Sequence, residues 1–90
     1  MDSSFEREIE AMIAEAEPKA AAGDLDSLLF LSELHHDLAL RRHSWEHFKI
    51  AESFLREAAE KGFPGAIDRL KNWEVPRYAL GRRIARNAAA

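Results

Sequence analysis

The sequence contains no cysteine, which excludes disulfides, thiolate metal sites and a cysteine nucleophile. It also lacks a long apolar run, since the longest strongly apolar stretch, residues 28–31, is far too short to cross a bilayer. The chain begins Met-Asp-Ser-Ser-Phe-Glu and has neither the basic start nor the apolar core of a signal peptide. We therefore expect a cytoplasmic protein without a membrane partner.

Glycine and proline are scarce, at four and three residues in 90, and the glycines are scattered. The chain therefore has no glycine-rich loop to cradle a phosphate, and its serines, histidines and acids form no recognisable catalytic arrangement. With 47% hydrophobic and 32% charged residues, the composition indicates one small folded domain. We expect no enzyme activity and no cofactor.

Charge is unevenly distributed along the chain. The formal net charge is −3, yet residues 1–37 hold ten acids and two bases, and residues 38–90 hold six acids and eleven bases. The last fifteen residues contain four arginines and no acid. This asymmetry indicates either an oriented polar partner surface, including a head-to-tail contact between copies, or simply two solvated faces.

Apolar residues recur at intervals of three and four, which is the period of an α-helix. The pattern predicts four antiparallel helices followed by a basic helix, over residues 4–22, 25–40, 45–61, 64–73 and 77–86. Pro18 should kink or break the first helix, and Val75-Pro76 should end the fourth. The expected architecture is an all-α domain over residues 1–75, built from repeat-like helical hairpins, with a basic C-terminal helix or tail over residues 76–90.

A shift of thirty-nine residues superimposes part of the chain on itself. Gly23 falls on Gly62, and Leu31 falls on Leu70. In both copies small residues precede the glycine, so two helices can pack closely with the glycine in the turn between them. We expect both glycines to lie just beyond helix ends with positive φ, and both leucines to be buried.

The second copy has a more specific pattern: Ala51-x-x-Phe54-Leu55-x-x-Ala58-Ala59-x-x-Gly62-x-x-x-Ala66-x-x-x-Leu70. This string resembles the Sel-one-like repeat, a relative of the tetratricopeptide repeat. The resemblance covers residues 51–73 well and residues 12–35 weakly. It implies a fragment of an α-α superhelix and, since family members are adaptors that hold partner proteins on a concave face, a protein-binding function without chemistry.

The chain also departs from the repeat pattern. Ser32 and Lys71 stand where the family usually has glycine, and residues 36–45 lack the usual glycine-rich loop. Glu15 and Lys19 replace an aromatic residue and an alanine in the first copy. The resemblance therefore implies a degenerate or capping pair of repeats rather than a full array.

The second predicted helix is apolar on all sides, which indicates packing on more than one side. A four-helix monomer covers only part of this circumference, so an apolar patch anchored by Phe30 should remain exposed and should bind a protein partner or a second copy. Trp45 and Trp73 are the large candidate anchors or core residues. The predicted partner-binding residues are Leu29, Phe30, Glu33, Asp37, Leu40, Arg69 and Trp73.

The segment from His43 to His47 matches the H-x-x-E-H pattern of inverted zinc peptidases, with Glu46 as the general base. Only forty-three residues follow His47, which leaves no room for the large domain and third ligand of those enzymes. We interpret the two histidines as exposed residues at a helix start. Of the other two, His35 should be a packed ring and His36 should be exposed.

The basic C-terminus raises a nucleic-acid alternative, since four arginines and Tyr78 could contact phosphates and bases. The overall acidic charge argues against it. The favoured function is a small protein-binding adaptor or inhibitor. A phage-encoded inhibitor or an immunity protein to a toxin is the alternative, and a metal-dependent enzyme using the histidine segment ranks last.

Overall fold

The computed structural model describes residues 3–89, with side chains for residues 4–88. Every regular element in this range is an α-helix, which confirms the all-α prediction. The helices are α1 (Ser3–Ala21), α2 (Leu25–Arg42), α3 (Trp45–Glu60), α4 (Pro64–Lys71) and α5 (Glu74–Ala89). None of these helices combines the length and apolar character needed to cross a membrane.

Helix α1 continues through Pro18, so the predicted break is absent. The proline lies in the last turn of the helix, where its missing N–H removes a single backbone hydrogen bond. The turn beyond it is still closed, because the Ala22 N–H donates to the Pro18 carbonyl at 3.1 Å. One lost bond near a helix end is therefore tolerated.

The sequence predicts that Val75 and Pro76 separate α4 from the basic helix. In the structure both residues lie in the first turn of α5 instead. The N–H groups of a first turn have no partner within the helix, so proline costs nothing there and its fixed φ favours helix entry. Helix α5 consequently begins three residues earlier than expected and also extends three residues further.

The turns after α1 and α3 have the same geometry. Gly23 and Gly62 have φ of +98° and +85° and lie just beyond the helix ends, as predicted. Each glycine N–H donates to a carbonyl three residues earlier at 2.9 Å, and the following N–H donates five residues back at 3.1 Å. These are the two bonds of a Schellman motif, which needs a left-handed residue at the glycine position.

Helix α2 ends at Arg42 and is followed by its C-cap residue His43, whose φ of +51° is left-handed. Ser44 then caps α3, as its side chain accepts a hydrogen bond from the His47 N–H at 3.2 Å. The connection between α2 and α3 is therefore two residues long, and a residue other than glycine makes its sharp turn.

Helix α2 is the central element, since it packs against α1, α3 and α5. Its side towards α3 includes Ser32, whose Oγ donates to the Ala51 carbonyl at 2.8 Å. An adjacent side includes Leu29, beside Gly65 of α4, and Leu40, beside α5. The predicted packing of α2 on several sides is confirmed.

The core is formed by buried residues from all five helices: Ile9, Ile13, Ala16, Ala20, Leu28, Leu31, Leu34, Leu38, Ala39, Phe48, Ala51, Leu55, Ala58, Ala66, Trp73 and Leu80. Leu31 is fully buried, as predicted. Leu70 is only half-buried, so the equivalence of the two leucines holds in sequence but not in burial. The reason is that Leu70 lies near the end of the short α4, whose main packing partner is α3 alone.

Leu31→Ala should lower the free energy of unfolding by about 2–5 kcal/mol, because it leaves a cavity in a fully packed site. Urea denaturation followed by circular dichroism measures this loss. Val75→Ala is the matched control, since Val75 is 70% exposed and its truncation should cost less than about 0.5 kcal/mol. A loss below about 1 kcal/mol for Leu31→Ala would contradict the described packing.

Two glycine substitutions should have opposite effects. Gly62→Ala should destabilise the fold by about 1 kcal/mol, because alanine is strained at positive φ. Gly81→Ala should stabilise it by up to about 1 kcal/mol, because Gly81 lies inside α5 and an added Cβ would make ordinary contacts with the Trp45 ring. Thermal unfolding measures the change in stability of both variants. A change in the same direction for the two would contradict the backbone conformations described for Gly62 and Gly81.

Candidate functional site

Helices α4 and α5 meet at an elbow that is anchored by Trp73. The buried Trp73 ring stacks on Phe48 of α3, with centroids 4.8 Å apart and an angle of 18° between the planes. Its Nε1–H donates to the Glu52 carboxylate at 3.1 Å. The indole thus has an apolar neighbour for its face and a hydrogen-bond acceptor for its polar edge. Because Trp73 directly precedes α5, these two contacts fix the position at which α5 begins.

Glu52 of α3 connects its helix to the elbow and to α5. Besides Trp73, its carboxylate accepts hydrogen bonds from Arg56 at 2.7 Å and from Arg77 of α5 at 2.8 Å. Burial opposes ionisation, but the hydrogen bonds from Arg56 and Trp73 and the charge of Arg77 outweigh it and hold the pKa of Glu52 below its usual value. The carboxylate therefore stays charged and keeps α5 in place.

A groove runs between α2 and α5 and continues around the elbow. We call it the α2–α5 groove. Its larger part has a volume of about 570 Å³ and its smaller part about 440 Å³, and the two parts share His36 and Pro76. The lining residues are His36, Leu40, Arg69, Asn72, Trp73, Val75, Pro76, Tyr78, Ala79, Arg82, Arg83 and Arg86.

Two apolar side chains stand at the edge of this groove with little cover. Val75 is 70% exposed and Tyr78 is 68% exposed, which makes them the most exposed of the large hydrophobic residues that the structure describes. The Arg82 guanidinium lies 6.0 Å from the centre of the Tyr78 ring. An aromatic ring beside an arginine is a combination that is enriched at protein interfaces.

The groove is also positively charged. Arg82, Arg83 and Arg86 are exposed, and none of them forms an ion pair with any residue in the described part of the chain. By contrast, Arg69 and Arg77 at the elbow pair with Glu33 and Glu52, both at 2.8 Å. The three unpaired guanidinium groups are free to bind an anionic partner.

His36 forms part of the groove floor, although the sequence predicted an exposed side chain. The ring is half-buried between Phe48 and Trp73, with centroid distances of 5.7 Å and 5.4 Å. Burial, followed by the nearby charge of Arg69, lowers the pKa of His36. The imidazole is therefore neutral at neutral pH and adds no further positive charge to the floor.

The seven predicted partner-binding residues are distributed over two regions. Leu40, Arg69 and Trp73 line the α2–α5 groove, and Glu33 pairs with Arg69 at its edge. The remaining three, Leu29, Phe30 and Asp37, do not line this groove.

Phe30 lies on another side of α2, beside Met12 of α1, and is 41% exposed. Leu29 is half-buried against α4, and Asp37 pairs with Arg41 one turn away at 3.1 Å. The predicted exposure of Phe30 is therefore observed, but its side chain is separate from the groove.

Sequence reasoning missed Val75, Pro76 and Tyr78 as groove residues. The sequence pattern predicts a helix break at Val75-Pro76, and it indicates Tyr78 only as a nucleic-acid contact. The signal available in the sequence for a helix start was Pro76 itself, because proline is common in the first turn of a helix. Trp45, the other predicted anchor, is 39% exposed and covers Gly81 of α5 from the side of α3.

The H-x-x-E-H segment does not lie on one helix. His43 terminates α2 in a left-handed conformation, whereas His47 belongs to the first turn of α3. The His47 ring lies 3.3 Å from His35 through the two Nδ1 atoms and 3.3 Å from the Arg42 guanidinium through Nε2. The described residues contain no group of three or more side chains able to hold a metal ion.

His35 is buried, as predicted for a packed ring, and stacks on His47 and Phe54 at centroid distances of 5.5 Å and 5.8 Å. Burial and the neighbouring His47 lower its pKa, and they outweigh the opposing effect of Glu17. This histidine pair therefore belongs to the α2–α3 packing rather than to the groove.

Comparison of the chain with protein-family models, curated proteins and solved structures finds no significant match. The resemblance to the Sel-one-like repeat therefore stays a prediction from the sequence.

The lowered pKa values of His35 and His36 predict a pH dependence of stability. The unfolded chain protonates both rings near the ordinary value of 6.5, and the folded chain does so only at lower pH. The free energy of unfolding should therefore be highest above 6.5 and should fall as the pH drops towards the folded-state values. Urea denaturation at about pH 7.5 and about pH 5.5 measures the change.

The histidine contribution can be isolated with His36→Gln, which removes one titrating ring and should reduce the loss of stability between the two pH values. Proton NMR titration of the imidazole Cε1–H signals gives the individual values in the folded protein. A titration midpoint at or above 6.5 for both rings would contradict the described burial.

Proposed function

We propose that the protein is a protein-binding module, a small adaptor or inhibitor, whose α2–α5 groove binds an acidic and partly apolar segment of a partner protein. One observation carries this proposal: three unpaired arginines and two exposed apolar side chains lie along the same groove. Exposed apolar groups supply the favourable burial, and the arginines select an acidic partner and orient it.

The shape of the groove favours a protein segment over a small molecule. Small-molecule sites are enclosed and mostly apolar, whereas this groove is open along α5 and lined by exposed cations. A segment lying along it would contact the Tyr78 ring and then the arginines of the next two turns. Tyrosine and arginine are among the residues that contribute most to binding energy at protein interfaces.

A protein partner also fits the charge of the whole molecule better than a nucleic acid does. The chain carries a net charge of −3, and the acidic helix α1 belongs to the same small domain. A polyanion held by three arginines would meet repulsion from the remainder of the surface, while a short acidic segment would not extend that far.

The repeat interpretation supports the adaptor role. The turns at Gly23 and Gly62 are thirty-nine residues apart, and the residues that follow them have nearly identical backbone angles, φ −71° and ψ 113° for Asp24 and φ −72° and ψ 113° for Phe63. We propose that α1–α2 and α3–α4 are a degenerate pair of Sel-one-like hairpins. Helix α5 would then close the end of the pair and form one wall of the binding groove.

A site-specific cross-linking experiment tests the function. A photo-reactive amino acid replaces Ala79, which lines the groove, and in a matched variant replaces Glu60, an exposed residue at the end of α3. Cross-linking in lysate should yield an adduct with a different protein from position 79 and not from position 60. Mass spectrometry identifies the adduct, and binding is then measured with the purified partner.

Arg82→Glu/Arg83→Glu should weaken binding of that purified partner by more than about tenfold, because it reverses two of the three free charges. Lys49→Glu/Lys71→Glu makes the same change in net charge at exposed positions outside the groove and should leave the affinity nearly unchanged. Equal effects of the two double variants would contradict a specific role for the groove.

A further inference from the structure

Helix α1 presents an exposed stripe whose charge is opposite to that of the groove. Glu8, Met12 and Glu15 follow one another at helical spacing and are all exposed. Neither glutamate forms an ion pair within the described residues, whereas Glu6 and Glu10, on the opposite side of the helix, pair with Arg42 at 2.8 Å and 2.9 Å. The stripe thus combines two free acids with an exposed methionine.

The exposed stripe cannot reach the groove of its own chain. Helix α1 packs on α2 through Ile9 and Ile13, which are buried, and the stripe flanks that contact, with Met12 beside Phe30 of α2. The groove lies on a different side of α2, next to α5, and is lined there by His36 and Leu40. Any contact between the two surfaces must therefore join two molecules.

The two surfaces are complementary in their chemistry. The stripe offers acid, apolar and acid side chains over two helical turns, about 10 Å in length. The groove offers an exposed valine and tyrosine, followed by three unpaired arginines over about one turn of α5. Docking would cover Met12 with apolar groups and would give the free glutamates guanidinium partners.

We propose that the α2–α5 groove of one molecule binds the exposed stripe of α1, formed by Glu8, Met12 and Glu15, of a second copy of this chain. This inference rests on the proposed function, because it names one occupant of the same groove. The charge asymmetry of the sequence supports this occupant: residues 1–37 carry a formal charge of −8 and residues 38–90 carry +5.

The contact is head-to-tail, so it joins different surfaces on the two molecules. Each added copy leaves one free stripe and one free groove, and the assembly grows with concentration unless its geometry closes a ring. Since the contact depends on exposed charges, self-association should weaken as salt increases. A protein partner with a better acidic segment would compete with the second copy for the groove.

A charge swap tests the proposal. Glu8→Lys/Glu15→Lys makes the stripe basic, and Arg82→Glu/Arg83→Glu makes the groove acidic. Each variant alone then brings like charges together and should remain monomeric at concentrations where the unmodified protein associates, with self-association weakened by more than about tenfold. An equimolar mixture should associate again, because each stripe meets a groove of opposite charge on the other variant.

Sedimentation velocity from micromolar to millimolar concentration measures association, and circular dichroism verifies that each variant is folded. The control pair, Glu46→Lys/Glu60→Lys and Lys49→Glu/Lys71→Glu, makes the same charge changes at exposed positions outside the two surfaces and should associate like the unmodified protein. Recovery of association only in the swapped mixture supports the proposal, since neither misfolding nor net charge predicts it.

The proposal is overturned if the unmodified protein stays monomeric at millimolar concentration, or if the swapped mixture does not associate. The failure of the wider function is distinguishable from this outcome. If the photo-reactive group at position 79 captures a different protein and the chain is monomeric, the groove still binds a partner and only the second copy is excluded. If position 79 captures neither a different protein nor a second copy of this chain, both proposals fail.

Discussion

The structure depends on one constraint, which is that a helix with apolar residues on every side must pack against neighbours on more than one side. Helix α2 is that element, and α1, α3 and the α4–α5 elbow each cover a different part of it. Four helices do not complete this cover. The fifth helix also contacts α2, and the groove lies between the two helices.

The position of α5 is determined by a single aromatic and polar junction. Trp73 fills the space over Phe48 and satisfies its N–H through Glu52, and the same carboxylate binds Arg77 in the first turn of α5. Apolar burial supplies most of the stabilisation at this junction, and the directional hydrogen bonds select the angle at which α5 departs. The groove is therefore a consequence of how the elbow is packed.

The same junction separates the arginines into two groups with different roles. Arg77 and Arg56 both bind Glu52, and the Arg77 contact joins α5 to α3, whereas Arg82, Arg83 and Arg86 follow the last acid in the sequence and have no ion-pair partner in the described chain. Exposed ion pairs contribute little to stability, so the unpaired group costs the fold little. Their value lies in recognition, because charges that are free in the monomer are available to orient a partner.

The sequence by itself determined the helices and their turns. Apolar spacing placed the first four helices to within two residues, and Gly23, Gly62 and Ser44 marked their ends, because these features depend on hydrogen bonds between residues close in the chain. Tertiary structure alone decided that His36 is covered by Phe48 and Trp73, and that Leu40 and the arginines share a groove that Phe30 does not line. Those outcomes follow from which side of α2 each helix covers, and that choice is made by packing between residues distant in the chain.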